Sequence, residues 1–230
     1  MTAKKKLGLL FSFIILLIML FVGYVCIHYV YQESVLKKEI NNLTTLDITK
    51  DKFNLDTVTY GDYKVVEESI KNYLNDYADN LQNINKIVSD EKFKQLLSYD
   101  NLSQDEDYKK PINYVDNIKV EFNTYMDNLI VMCDEENIKN NILSYHLNSY
   151  YVDLYNDLMF NDEVINKLNL SKDYLENYRE NINVKLNTCL EIFVFLNNNK
   201  ENYKFEDGEI KFSTQELIDQ YNGYIQKINN

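Results

Sequence analysis

The sequence predicts an all-α protein. A single N-terminal transmembrane helix leads into an extracytoplasmic helical bundle, and a small C-terminal β-hairpin and a final helix close the chain. Three observations predict this. Residues 7–31, opening on Leu7 and closing on Tyr31, carry no charge. Apolar residues then recur at steps of three and four through most of the chain, the period of a helix with one buried face. Similar blocks also occur twice in the same order, which points to duplicated helical hairpins.

The apolar run comes first. As a helix it is about 37 Å long at ~1.5 Å per residue, enough for a hydrocarbon core of about 30 Å. A cleaved signal peptide has a shorter apolar region ending in small residues, and no A-x-A is present. Val25 is too large to precede a lipid-modified Cys26. Tyr24, Tyr29 and Tyr31 crowd the far end, as an interfacial aromatic belt does. Lys4, Lys5 and Lys6 precede the run and bias residues 1–6 toward the cytoplasm. The expected organisation is therefore a cell-membrane signal anchor over 7–31, with everything after it outside the cytoplasm.

Every Asp and Glu follows residue 32. Setting aside the three N-terminal lysines, 36 acids face 21 bases, a net charge of −15. Such a surface repels phosphate backbones and argues against nucleic acid as a partner. Abundant Asn, Lys, Ile and Tyr, with one arginine, one proline and no tryptophan, reflect an AT-rich, low-GC bacterial genome rather than a function.

Residues 32–61 read as a stalk and linker. Val35, Leu36, Ile40, Leu43 and Leu46 extend the helical period, and 47–61 break it. The bundle is assigned to 62–198, with possible repeats at 62–133 and 134–198. Its first helix runs from Asp62 to about Val88, with Tyr63, Val66, Ile70, Tyr73, Tyr77, Leu81, Ile84 and Val88 on one face. Ser89-Asp90 caps a short helix, and SYDNLSQDEDYKK reads as a polar loop. Pro111 suits a first helical turn before the stripe Val115, Ile118, Phe122, Met126, Leu129 and Cys133. A helix opening at Asp134-Glu135-Glu136 is expected to continue through Ile142, Tyr145 and Val152 to Met159. A short segment at 164–168 follows. Ser171 then caps a helix bearing Leu175, Tyr178, Ile182, Leu186, Cys189, Phe193 and Leu196.

The duplication rests on three matches. DNIKVEFNTYM (116–126) parallels ENINVKLNTCL (180–190). SDEKFKQL parallels NDEVINKL, and NLSxD follows each, at Asn101 and Asn169. In 199–230, Tyr203/Phe205 and Ile210/Phe212 alternate around Asp207-Gly208, a hairpin signal. Ser213-Thr214-Gln215-Glu216 reads as a capping box with Ser213 as its cap.

Sites are scarce. The chain has no Walker loop, no dinucleotide fingerprint, no nucleophile elbow and no H-E-x-x-H. His146 lacks the Glu three residues earlier that a di-iron helix needs. No catalytic residue, metal site or cofactor is assigned. Asp105-Glu106-Asp107 lacks calcium-loop spacing and reads as a solvated loop. Cys133 and Cys189 read as small buried thiols.

The candidate binding residues are His146, Tyr150, Asp153 and Arg179. The first three form a polar strip if they share a helix face, although an ordinary solvated face gives the same pattern. Arg179 is the only arginine and calls for a bidentate partner, which an internal ion pair would also supply. The expected function is non-enzymatic: protein–protein interaction or envelope assembly. The alternatives are a cell-wall or small-ligand module, or an enzyme with an unrecognised carboxylate site.

Overall fold

The computed structural model describes residues 3–105, 107–167 and 172–229, with side chains from Phe13 on except Lys167. Within them lie ten helices and one two-stranded antiparallel sheet. The Ser171 cap, the Asn169 block and Glu106 fall outside the described residues. The chain divides into two compact units: Met1–Leu46, Lys52–Leu74 and Lys139–Lys167 in the first, Asp47–Asp51, Asn75–Ile138 and Leu168–Asn230 in the second. Each of the two inferred repeats contributes to both units.

In the first unit, α1 runs unbroken over Ala3–Thr44. It is the one helix among the described residues long and apolar enough to cross a membrane, with an 18-residue window of mean hydropathy 2.5 that is wholly unburied. The same helix then changes role. Leu36, Ile40 and Leu43 are buried, and α1 packs against α8 (Asp162–Lys167). The chain returns along 51–60 without regular structure, pinned by buried Phe53 and Thr59. Next, α2 (Asp62–Ser89) buries its expected face, with Val66 and Ile70 fully enclosed.

One expected helix is in fact two, α6 (Glu135–Leu143) and α7 (Ser149–Met159). His146 turns the chain with φ of +52°. The Asn148 side chain then accepts from the Tyr150 N–H at 3.1 Å and starts a new helix. An asparagine cap satisfies an orphan N–H that a continuous helix would not leave free. Tyr151, Leu154, Tyr155 and Leu158 of α7 are buried.

In the second unit, Asp90 caps a single-turn α3 (Glu91–Lys94). The expected polar loop contains α4 (Tyr99–Gln104), capped by Ser98 and held down by buried Leu102. Helices α5 (Lys109–Met132) and α9 (Lys172–Asn198) pack antiparallel. Lys119 Nζ donates to Asn187 Oδ1 at 2.6 Å, and Asn123 and Asn183 exchange two amide bonds of 3.0 and 2.8 Å. These pairs sit symmetrically about Glu121 and Lys185, the midpoints of the two matched segments.

Strands β1 (Tyr203–Glu206) and β2 (Glu209–Phe212) pair as expected, Tyr203 opposite Phe212 and Phe205 opposite Ile210. Asp207 and Gly208 both have positive φ, +54° and +80°, the backbone a two-residue hairpin turn needs. The last helix, α10 (Gln215–Asn229), is capped by Thr214 rather than Ser213: the Thr214 hydroxyl accepts from the Leu217 N–H. The Ser213 N–H instead bonds Asn202 C=O and extends the hairpin ladder. The apolar hairpin face and α10 pack on α9 through Phe195, which meets Phe212, Tyr221 and Tyr224.

Candidate functional site

Polar chemistry in the first unit gathers along α1, where the apolar run ends. Gln32 is buried and its Oε1 accepts from the Tyr60 N–H at 3.0 Å. One turn of the same stretch presents Glu33. Its Oε1 takes Lys37 Nζ at 2.5 Å and its Oε2 takes the Tyr150 hydroxyl at 2.7 Å. The Tyr150 and Tyr63 hydroxyls lie 3.2 Å apart. Their rings join Tyr151 and Tyr29 in edge-on contacts with centroids 5.1 to 6.4 Å apart, a favoured aromatic geometry. The bonds from Lys37 and then Tyr150 hold the Glu33 carboxyl below its usual range. Bonding to Tyr63 and Glu33 in turn raises the Tyr150 phenol.

Farther along α1 lies an enclosed ion cluster. Lys71 Nζ reaches Glu39 Oε1 at 2.6 Å, Glu67 Oε1 at 2.8 Å and the Asp56 carbonyl at 2.7 Å. Lys71 and Glu67 are fully buried. Glu67 also accepts from the Val58 and Thr59 N–H groups and from the Thr59 hydroxyl, the last at 2.6 Å. Burial pushes the Glu67 carboxyl up, but Lys71, Thr59 and the two amides outweigh it and leave it low. Burial likewise opposes the Lys71 charge, and Glu39 and Glu67 overcome it. All of these groups face one another, so the cluster clamps the 51–60 segment between α1 and α2.

The four expected binding residues are dispersed. His146 is exposed in the turn before α7. Tyr150 opens α7 and joins Glu33, while Asp153 is exposed farther along that helix. The break at Asn148 takes His146 off the helix that carries Tyr150 and Asp153. Arg179 lies in the second unit and pairs with Asp127 across α5 and α9. That is the internal ion pair its sequence context allowed. Cys189 is buried, which pushes its thiol up to about 11, and Cys133 is partly buried. Among the described residues no group of three or more His, Cys, Asp or Glu has metal-binding geometry.

Sequence reading missed Gln32, Glu39, Glu67 and Lys71. The only available signal was the Glu67/Lys71 spacing of four beside Val66 and Ile70. Exposed helix pairs give the same spacing.

The second unit holds an open cleft of about 600 Å³. Leu97, Tyr99 and Leu102 line one side, β2 lines another, and Ile218 and Tyr221 of α10 line a third. The Ser213–Asn202 bond fixes the ladder's phase, so the backbone polar groups of Ile210 and Phe212 point away from β1.

Comparison with protein-family models, curated proteins and solved structures returns no match.

Proposed function

We propose that this is a single-pass membrane protein whose helical region lies outside the cytoplasm and docks a protein partner, without catalysis. The observation that carries the reading is the dual role of α1. Its apolar surface from Phe13 to Tyr31 is uncovered, yet from Leu36, five residues on, it forms the core of a folded unit around Leu36 and Ile40. An aqueous protein gains nothing from leaving so large an apolar surface bare, and a bilayer buries it. Three lysines before the run, Lys4 to Lys6, against Lys37 and Lys38 after it favour the stated orientation.

The cleft beside β2 is where a partner would dock. It offers an apolar floor and strand-edge hydrogen-bonding groups, the combination that an added peptide strand uses. The polar clusters of the first unit are consumed internally, which favours a structural role over a catalytic one. The symmetric pairing about Glu121 and Lys185 supports descent from a duplicated helical hairpin, since copies related by a two-fold axis meet in this reciprocal way.

A photo-crosslinking residue at Tyr99, in full-length protein in its native membrane, tests the docking reading. A discrete adduct that disappears on Ile218→Asp supports it. Crosslinks at Tyr99 no different from those at an exposed α5 position such as Val120 contradict it.

A further inference from the structure

We infer that the first unit has its own bilayer contact: an aromatic collar, assembled from three separate chain segments, that seats its base in the lipid headgroup region. This rests on the reading of α1 as a membrane span, and it adds a surface that the span alone does not require. The apolar run ends at Tyr31. The next two residues, Gln32 and Glu33, each hold an exposed tyrosine from elsewhere in the chain at that level.

Gln32 fixes the Tyr60 backbone at the end of the 51–60 segment, and Tyr60 is 71 % exposed. Glu33 fixes the Tyr150 hydroxyl at the start of α7, and Tyr150 is 45 % exposed. Tyr29 and Tyr31 on α1 itself are 49 % and 62 % exposed. Tyrosine favours this boundary because its ring prefers the acyl region and its hydroxyl prefers water.

The direction of the surrounding elements agrees. Tyr29 meets Tyr63, while Glu39 meets Lys71, so α2 leaves the same base and climbs beside α1. On α7, Tyr150 is at the base, and Tyr155 meets Asn141, which in turn bonds Ser69. The base is therefore made of the Tyr60-Gly61-Asp62 turn, the 144–148 turn with exposed Tyr145 and His146, and the emerging α1. Val58, 46 % exposed, adds apolar surface next to Tyr60. A lipid headgroup region matches this mixture of tyrosines, small polar turns and a continuous apolar helix.

The absence of native tryptophan makes single-tryptophan probes clean. Full-length protein reconstituted in phosphatidylcholine vesicles would carry Tyr60→Trp, Val58→Trp, Asp157→Trp or Phe21→Trp, with nitroxide lipids placed shallow or deep. Asp157 lies seven residues beyond Tyr150 on α7, about 10 Å farther from the base. The collar requires quenching at positions 60 and 58 by shallow nitroxides, blue-shifted emission there, and neither effect at 157. Quenching at Phe21 with positions 60 and 58 behaving like 157 overturns the collar and leaves the span intact. No quenching at Phe21 by deep nitroxides overturns the span and the collar together. Matching circular dichroism across the four variants keeps a folding defect from imitating either result.

Discussion

The two units bury different kinds of residue. Gln32, Thr59, Glu67, Ser69 and Lys71 are polar or charged and buried, and all belong to the first unit. Among the described residues the second unit buries one side chain of this polar class, Thr188, whose hydroxyl bonds the Val184 carbonyl of its own helix. The cause is the backbone each must satisfy. The second unit is built from helices and a hairpin, whose amides bond one another, so its interior is free to be Phe122, Leu129, Phe193 and Leu196. The first contains the irregular segment 52–60 packed against helices. Its buried N–H and C=O groups need partners that no ladder supplies. Glu67 provides acceptors for Val58 and Thr59, Lys71 donates to Asp56, and Gln32 accepts from Tyr60. Glu39 then completes the coordination of the buried Lys71 ammonium.

This contrast can be broken most severely at Lys71. Lys71→Ala strands the Glu67 and Glu39 carboxylates and is expected to cost about 3–5 kcal/mol. Hydrogen exchange on the full-length protein in detergent should show protection lost over 62–74 and retained over 186–196. In the second unit Phe193→Ala should cost a similar ~3–5 kcal/mol by leaving a cavity, with the reverse pattern of lost protection. Equal loss in both units for either variant would merge them into one cooperative body.

Acid and base sharpen the same comparison with a smaller effect. The Glu67 carboxyl is lowered in the fold, so its contribution is present above the ordinary carboxylate range and is lost as pH falls through its depressed folded value. The Lys71 ammonium is raised, so its contribution holds below the ordinary lysine range and is lost only as pH rises through its elevated folded value. Between these limits the first unit should be most protected. On acidification, protection relative to the intrinsic exchange rate should fall over 62–74 before 186–196. A simultaneous fall in both would remove Glu67 as the sensitive group. The smallest effect belongs to Arg179→Ala, which opens a partly exposed ion pair with Asp127 and should cost under ~1 kcal/mol in a denaturant titration.

Much of the fold was legible because it depends on periodicity. The faces of α2, α5 and α9, the hairpin with its Asp207-Gly208 turn, and the last helix all follow from spacing and turn chemistry. The misses were local hydrogen-bond choices. Asn148, Ser98 and Thr214 act as caps, and the sequence offers several equivalent candidates near each. The polar site was less legible still. Glu67 and Lys71 have the spacing of an ordinary surface pair, and only the return of 51–60 across them makes them interior. Tyr150 was singled out from sequence for a helix-face partnership. Its actual partners, Glu33 and Tyr63, are far away in the chain.

In the proposed topology α1 is at once membrane anchor and core helix, uncleaved and with the helical region outside. Protease shaving of intact, wall-stripped cells, followed by intact-mass measurement of the membrane-retained and unshaved protein, tests it most directly. An uncleaved, outward-facing anchor gives an unshaved mass that begins at the N-terminal tail, and external protease removes the helical region. A chain beginning near Cys26, or a helical region fully protected until the cells are lysed, would contradict it.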